Sequence, residues 1–319
     1  MRSAEGLVGR PEGDRVEAIA LSPRRSIGSQ RRGPNLGIAL ARRGLALGLL
    51  MAASAMAHGR SNAAYDVHVD VVYTPARWPQ ALRSDLYVPS GRGPFPAVVV
   101  VHGGGWNGRD RHDMTSLSES LAEQGIVALN IEYRLAPAFH HPAPVEDVRA
   151  AISYLRQHAP EWKIDASRLG GWGYSAGAHL VTLAANAADR GVPLMKALVA
   201  GGMPADFRRY PDSPVISQYI GKPYVEATKT WEAASPLLNV SADDPPMFLY
   251  HGNWDRIVEP AELPAMQAAL EQNGVKVQTL KVSMLGHIGT FLFSRQARRE
   301  GIAFLKHHLI GSSSPAGIP

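Results

Sequence analysis

Gly173-Tyr174-Ser175-Ala176-Gly177 stands where a run that reads as a strand, Arg168 to Tyr174, meets a run that reads as a helix, Ala176 to Ala188. No other stretch constrains the fold as strongly. The two glycines remove side chains on either side of Ser175, so strand and helix can close around a sharp turn. Such a turn holds the serine hydroxyl out above the end of a sheet. The helix opening at Ala176 directs free N–H groups and the positive end of its dipole toward that hydroxyl. The bland reading of Ser175 is a helix N-cap, which serine does well. Both glycines, and the segments described next, weigh against it.

A free serine is a weak nucleophile at neutral pH and needs a general base within hydrogen-bond reach. His287, flanked by Gly286 and Gly289, falls on a loop between a strand at Val275 to Val282 and a last helix at Phe291 to His308. Asp255 lies just past a strand at Met247 to His251, where a carboxylate holds a base histidine in the right tautomer. Glu259 competes for that role. Asp243 and Asp244 precede the strand and belong to the wrong edge of the sheet. His307 and His308, near a helix C-terminus, read as capping residues.

Upstream, His102-Gly103-Gly104-Gly105-Trp106 follows the apolar run Ala97 to Val101. Successive glycines let a backbone turn and aim its N–H groups at a ligand oxygen. The N–H groups of Gly104, Gly105 and Ala176 are the oxyanion candidates, each worth about 3 kcal/mol at a transition state. His102 reads as structural, bonding within the loop. His140 and His141 read as surface residues, and no metal is expected.

Around these segments strand and helix alternate. Val67 to Tyr73 and Ser84 to Val88 read as a leading antiparallel pair. Ala97 to Val101, Ile126 to Tyr133, Leu194 to Ala200, Met247 to His251 and Val275 to Val282 read as further strands. Val145 to His158 and Ala261 to Gln272 read as helices. The pattern predicts an α/β fold, with a mostly parallel central sheet covered by helices on both faces and a small cap or none. The stretch from Gly202 to Pro245, with five prolines among residues 204–236, is either a small lid or an ordinary long connection.

The isoelectric point near 9.5 invites a nucleic-acid reading, which position overturns. Residues 1–57 hold nine Lys/Arg against four Asp/Glu, and the remainder holds 24 of each. The body therefore has no net field to attract nucleic acid. Arg42-Arg43, the apolar run Leu45 to Met51 and Ala55-Met56-Ala57 read as an export signal cleaved before His58. The apolar run is too short to span a bilayer. The organisation expected is a disordered N-terminus plus signal at 1–57, a linker at 58–64, one domain at 65–310 and a disordered tail at 311–319. The signal predicts export to the periplasm or secretion, with an uncleaved cytoplasmic form as the alternative. With no cysteine in 319 residues, disulfides, thiolate metal sites and a cysteine nucleophile are excluded.

The segments His102 to Trp106, Glu132 to Pro137, Val145 to Ala151, Gly173 to Gly177 and Ser235 to Leu238 together resemble the α/β-hydrolase carboxylesterases. Among these, the hormone-sensitive-lipase-like and the acetyl-xylan/feruloyl esterase-like branches are similar. The chain order Ser, Asp, His is that of the α/β-hydrolases. The resemblance covers roughly residues 65 to 309. It implies a triad of Ser175, Asp255 and His287, the three oxyanion donors, a structural Tyr133-Arg134, no cofactor, and hydrolysis of a small-molecule ester, an acylated polysaccharide or an aryl ester. The charges within 202–245 point to short acyl chains. Ser175 to Leu180 and Gly286 to Phe291 also resemble arylformamidases, so a formamidase or small amidase with the same triad is the alternative. A non-catalytic binding protein on the hydrolase fold is a third reading.

Overall fold

Four consecutive valines, Val98 to Val101, end the strand Phe95–Val101 (β3), and none is more than 1% exposed. A strand this apolar must be covered on both faces. Ala97, Val99 and Val101 enter one apolar cluster, and Val98 and Val100 enter another. Successive side chains of a strand point to opposite sides, so the two clusters lie on the two faces of the sheet.

The computed structural model describes residues 64–185 and 194–311. All of them belong to the unit Arg60–Pro319. The expected export signal and N-terminal segment lie outside the described residues, as do nearly all of the linker and the tail.

Eight strands form one sheet in the order β1-β2-β4-β3-β5-β6-β7-β8. They are Tyr65–Val72 (β1), Arg83–Pro89 (β2), β3, Val127–Ile131 (β4), Ile164–Tyr174 (β5), Ala197–Gly201 (β6), Met247–Gly252 (β7) and Val277–Val282 (β8). The pairings β1 with β2 and β2 with β4 are antiparallel. Every pairing from β4 to β8 is parallel.

The helices are Thr115–Glu123 (α1), Ala143–Gln157 (α2), Ala176–Ala185 (α3), Pro214–Ile220 (α4), Thr228–Ala233 (α5), Glu262–Gln272 (α6), His287–Phe293 (α7) and Arg295–Ile310 (α8). In α2, Val145, Val148, Ile152 and Leu155 recur at helical spacing and make the stripe that meets the first cluster. Helices α3 and α6 complete that side, while α1 and α8 cover the other.

The structure corrects the sequence reading of the elements in four places. Helix α1 was not anticipated, because its buried stripe is only Leu117, Leu121 and Ala122 among serines and glutamates. The expected helix from Phe291 to His308 is two helices. Ser294 leaves the helical conformation, and its Oγ caps α8 by accepting the Ala297 N–H. His287 is not on the loop but opens α7. The stretch 202–245, read as a small lid or a long connection, carries two short helices and three 3-10 turns. Pro214 starts α4 behind a Ser213 cap, and Pro223 and Pro236 adjoin 3-10 turns. Its beginning is pinned by Glu262, at the head of α6, whose Oε2 accepts the N–H groups of Ala205 and Asp206 at 3.2 and 3.1 Å. Burial pushes the Glu262 carboxyl up to about 7.

Arg134 and Asp147 join β4 to α2. Asp147 is fully buried; its carboxylate accepts the Arg134 Nε–H at 2.8 Å, the Arg134 backbone N–H at 2.8 Å and the Trp78 indole N–H at 2.7 Å. The guanidinium stacks over Trp78 and Phe139 at 5.4 and 5.3 Å. Removing one partner leaves the other charge buried and uncompensated. Asp147→Ala is therefore expected to lower the unfolding free energy by about 3–5 kcal/mol in urea titrations. A loss below about 1 kcal/mol would mean that the pair is not what couples α2 to the sheet.

Candidate active site

Strand β5 delivers Ser175 to its turn, and the turn is set by backbone contact. A Cβ on Gly177 would lie 2.1 Å from the Val101 carbonyl oxygen, and one on Gly173 would lie 2.3 Å from the Gly177 oxygen. Only glycines allow that approach. Ser175 has φ +54°, in the left-handed region, which costs a non-glycine residue about 1–2 kcal/mol. The Ser175 N–H donates to the Gly201 oxygen at 2.8 Å, and the Ser175 oxygen accepts the His179 N–H at 3.0 Å. These bonds hold the strained turn in place.

The three residues expected to act together meet. His287 Nε2 is 2.9 Å from Ser175 Oγ, and His287 Nδ1 is 2.6 Å from Asp255 Oδ2. Facing a carboxylate, Nδ1 carries the ring proton, so Nε2 is left to accept from the serine. The head of α7 is fixed by Tyr174, whose hydroxyl donates to the His287 carbonyl at 2.6 Å. Asp255 is buried; its Oδ1 accepts the N–H groups of Ile257 and Val258, each at 2.9 Å.

His251, at the end of β7, is an addition that the sequence reading missed. Its Nε2 lies 3.1 Å from Asp255 Oδ2 and 3.1 Å from the Val258 oxygen. Both neighbours are acceptors, so Nε2 bears a proton and donates. Burial opposes the charge on Asp255. The hydrogen bonds from His251, His287 and Val258 outweigh it and hold the carboxyl well below the usual carboxylate range. The signal available in the sequence was the spacing of four between His251 and Asp255 across the turn.

The glycine loop lies beside Ser175. Gly104 has φ +110°, and a Cβ there would fall 2.2 Å from the Gly108 oxygen, so the loop shape demands glycine. The N–H groups of Gly104, Gly105 and Ala176 donate to no acceptor among the described residues. The loop is braced from behind. Trp106 Nε1–H donates to His179 Nδ1 at 3.2 Å, and His179 Nε2–H donates to the Ala234 oxygen at 2.7 Å. Trp106 stacks on Tyr219 at 4.7 Å. His102 is structural, as expected: its Nδ1–H donates to the Gly103 oxygen at 2.7 Å, and its ring stacks on Tyr133. Burial pushes His102 down to about 4 and His179 to about 3, so both rings stay neutral.

Ser175 and His287 line a cleft of about 630 Å³, with Gly103, Gly104 and Gly105. Tyr210, Val215 and Ile216 of the 202–245 stretch, Ile257 and Val258 beyond β7, and Ile288, Phe291 and Leu292 of α7 form its walls. The competing groups lie elsewhere. Glu259 faces Arg209 at 3.6 Å, Asp244 closes a turn with Ser241, and His308 packs on Phe304. His140 is on the surface, but His141 is half-buried against Tyr219, 3.1 Å from its hydroxyl, which corrects the surface reading.

The protein-family model BD-FAE matches residues 84–270, more than half of the chain. Esterase LipQ of Mycobacterium tuberculosis (strain ATCC 25618 / H37Rv) is 30% identical over 196 residues, covering 56% of this chain and 46% of LipQ. Carboxylesterase NlhH of the same strain is 36% identical over 134 residues, covering 40% of this chain and 38% of NlhH. The chain thus spans less than half the length of these curated relatives. A truncated form of a carbohydrate esterase from gut microbiota superposes with a TM-score of 0.69 at 21% identity, covering 78% of this chain and 99% of that one. The sheet order and this superposition make the fold an α/β-hydrolase fold.

The bond from His251 to Asp255 has a measurable consequence. A hydrogen bond to a charged group contributes about 1.5–3 kcal/mol. His251→Phe is expected to slow modification of Ser175 by a fluorophosphonate probe by about 10- to 100-fold, with His251→Gln, which keeps a donor, recovering much of the rate. Equal rates in wild type and His251→Phe would show that Asp255 is held without it.

Proposed function

This chain belongs to the BD-FAE family, and from that premise we propose that it is a serine carboxylesterase working through an acyl-enzyme. The reading is carried by the unbroken line of hydrogen bonds from Ser175 Oγ through His287 to Asp255, opening on a cleft beside uncommitted N–H groups. Ser175 Oγ attacks the ester carbonyl carbon as its proton passes to His287 Nε2. Asp255 stabilises the imidazolium that results. The charge that develops on the carbonyl oxygen is met by the N–H groups of Gly104, Gly105 and Ala176. The C–O bond then breaks, and His287 returns the proton to the departing alkoxide, which leaves as the alcohol. Water attacks the acyl-enzyme by the same route, its proton going to His287 and then to Ser175 Oγ, and the carboxylic acid departs.

Short acyl groups are part of the proposal. Trp106, in the cleft wall, is backed by Tyr219 and by Phe207 at 5.4 Å, so that wall cannot retreat. Helices α4 and α5, of seven and six residues, are too short to make an amphipathic lid over a long acyl channel. Export through a signal cleaved before His58 is a second part. It rests on the basic flank, apolar run and small residues of 42–57.

The fluorophosphonate probe is expected to label Ser175 and to leave Ser175→Ala unlabelled, with kcat for nitrophenyl acetate lowered by about 10⁴- to 10⁶-fold in that variant. Ordinary turnover by Ser175→Ala would overturn the mechanism. On nitrophenyl esters of graded length, kcat/KM is expected to peak at acetyl to butyryl and to fall beyond about eight carbons. A maximum at long chains would overturn the short-acyl reading, and a stronger preference for N-formylkynurenine would make the protein a formamidase. Intact mass of protein recovered outside the cytoplasm is expected to begin at His58. A species retaining Arg42 and Arg43 would contradict cleavage.

A further inference from the structure

Large apolar side chains are exposed beside His287. Trp254, Ile257, Met284, Ile288, Leu292 and Phe293 are each between 55% and 69% exposed. Scattered singly, such residues need no explanation. Here they come from adjoining segments. Trp254 and Ile257 lie on the turn after β7, Met284 on the turn after β8, and the other three on α7. The two turns are tied together, with the Met284 N–H donating to Asn253 Oδ1 at 2.7 Å and the Trp254 N–H to the Leu285 oxygen at 3.1 Å. Ile257, Ile288 and Leu292 also line the cleft, so the exposed surface continues into it. Met284 adopts φ +58°, a conformation in which glycine would serve folding at lower cost.

The position of this surface relative to the chemistry says which half of an ester meets it. In the proposed reaction His287 protonates the leaving alcohol, so the alcohol oxygen must come within hydrogen-bond reach of Nε2. The carbonyl oxygen turns instead toward the N–H groups of Ala176 and of Gly104 and Gly105, whose loop follows β3, on the side of β5 opposite to β7 and β8. The group attached to the alcohol oxygen therefore extends along the segments that carry His287. A sugar there would need polar side chains to replace its water hydrogen bonds. The charged residues lining the cleft, Arg109 and Asp113, are already joined to each other as an ion pair. We infer that the apolar rim around His287 is a leaving-group site, selecting esters whose alcohol portion is an aromatic or bulky hydrocarbon over esters of sugars.

This inference rests on the carboxylesterase reading, and the test separates the two. Three acetate esters with the acyl group held constant are compared: 2-phenylethyl acetate, 2-methoxyethyl acetate and a mono-O-acetyl methyl xyloside. The first two have leaving alcohols of similar acidity, so a difference reports binding. At about 25 cal/mol per Å² of apolar surface removed from water, kcat/KM is expected to favour the phenylethyl ester over the methoxyethyl ester by about 10-fold or more. In the double variant Trp254→Ser with Ile288→Ser that ratio is expected to fall to about twofold or less. The ratio is internal to each protein sample and so is independent of how much of the variant is active. Preference for the xyloside, or a ratio unchanged in the double variant, would each overturn the inference. Failure to cleave any of the three esters, with Ser175 unlabelled by the probe, would instead overturn the carboxylesterase reading.

Discussion

The backbone of Gly177 rests against the carbonyl oxygens of Val101 and His102, where an added Cβ would lie 2.1 and 2.4 Å away. That contact joins the start of α3 to the end of β3, from which the glycine loop springs. Ser175 and the N–H groups of Gly104 and Gly105 therefore hold their separation through main-chain packing, without help from flexible side chains. The left-handed backbone at Ser175 is the local cost of the arrangement. The apolar packing of β3 and β5, whose last residues are fully buried, outweighs it.

Around this frame, buried imidazoles act as braces. His102 and His179 are neutral because burial disfavours their charged forms. A neutral ring offers one donor and one acceptor, and His179 uses both, linking Trp106 to the Ala234 carbonyl. His251 uses its Nε2–H on Asp255 and Val258. His287 differs in what it faces: a buried carboxylate on one nitrogen and the Ser175 hydroxyl on the other. The surrounding pairing, more than residue type, separates these roles.

The strands were legible because β-branched runs and turn residues mark them locally. Every anticipated strand is present, with ends displaced by a residue or a few. The helices were less legible where tertiary contact outweighs periodicity. Helix α1 buries a thin stripe, and a single Ser294 cap divides the expected last helix into α7 and α8. The helices within 202–245 were not legible because they are only seven and six residues long, and α5 has neither a proline start nor a side-chain cap to mark it. The anchoring of that stretch on Glu262 comes from a residue far along the chain, which no local pattern announces.

By itself the sequence determined the αβ alternation, the glycine-flanked serine turn, and the order in which serine, aspartate and histidine follow one another. These are properties of short segments, set by side-chain size, backbone freedom and hydrophobic period. The tertiary structure alone decided which carboxylate faces His287, that His251 shares that carboxylate, and that six exposed apolar residues gather beside the base. Asp255 and His287 are 32 residues apart in the chain, and Ser175 and His287 are 112 apart. Their meeting depends on the parallel sheet order, which brings the ends of β5, β7 and β8 to one edge. That order is fixed by packing over the whole core, so no single segment carries it.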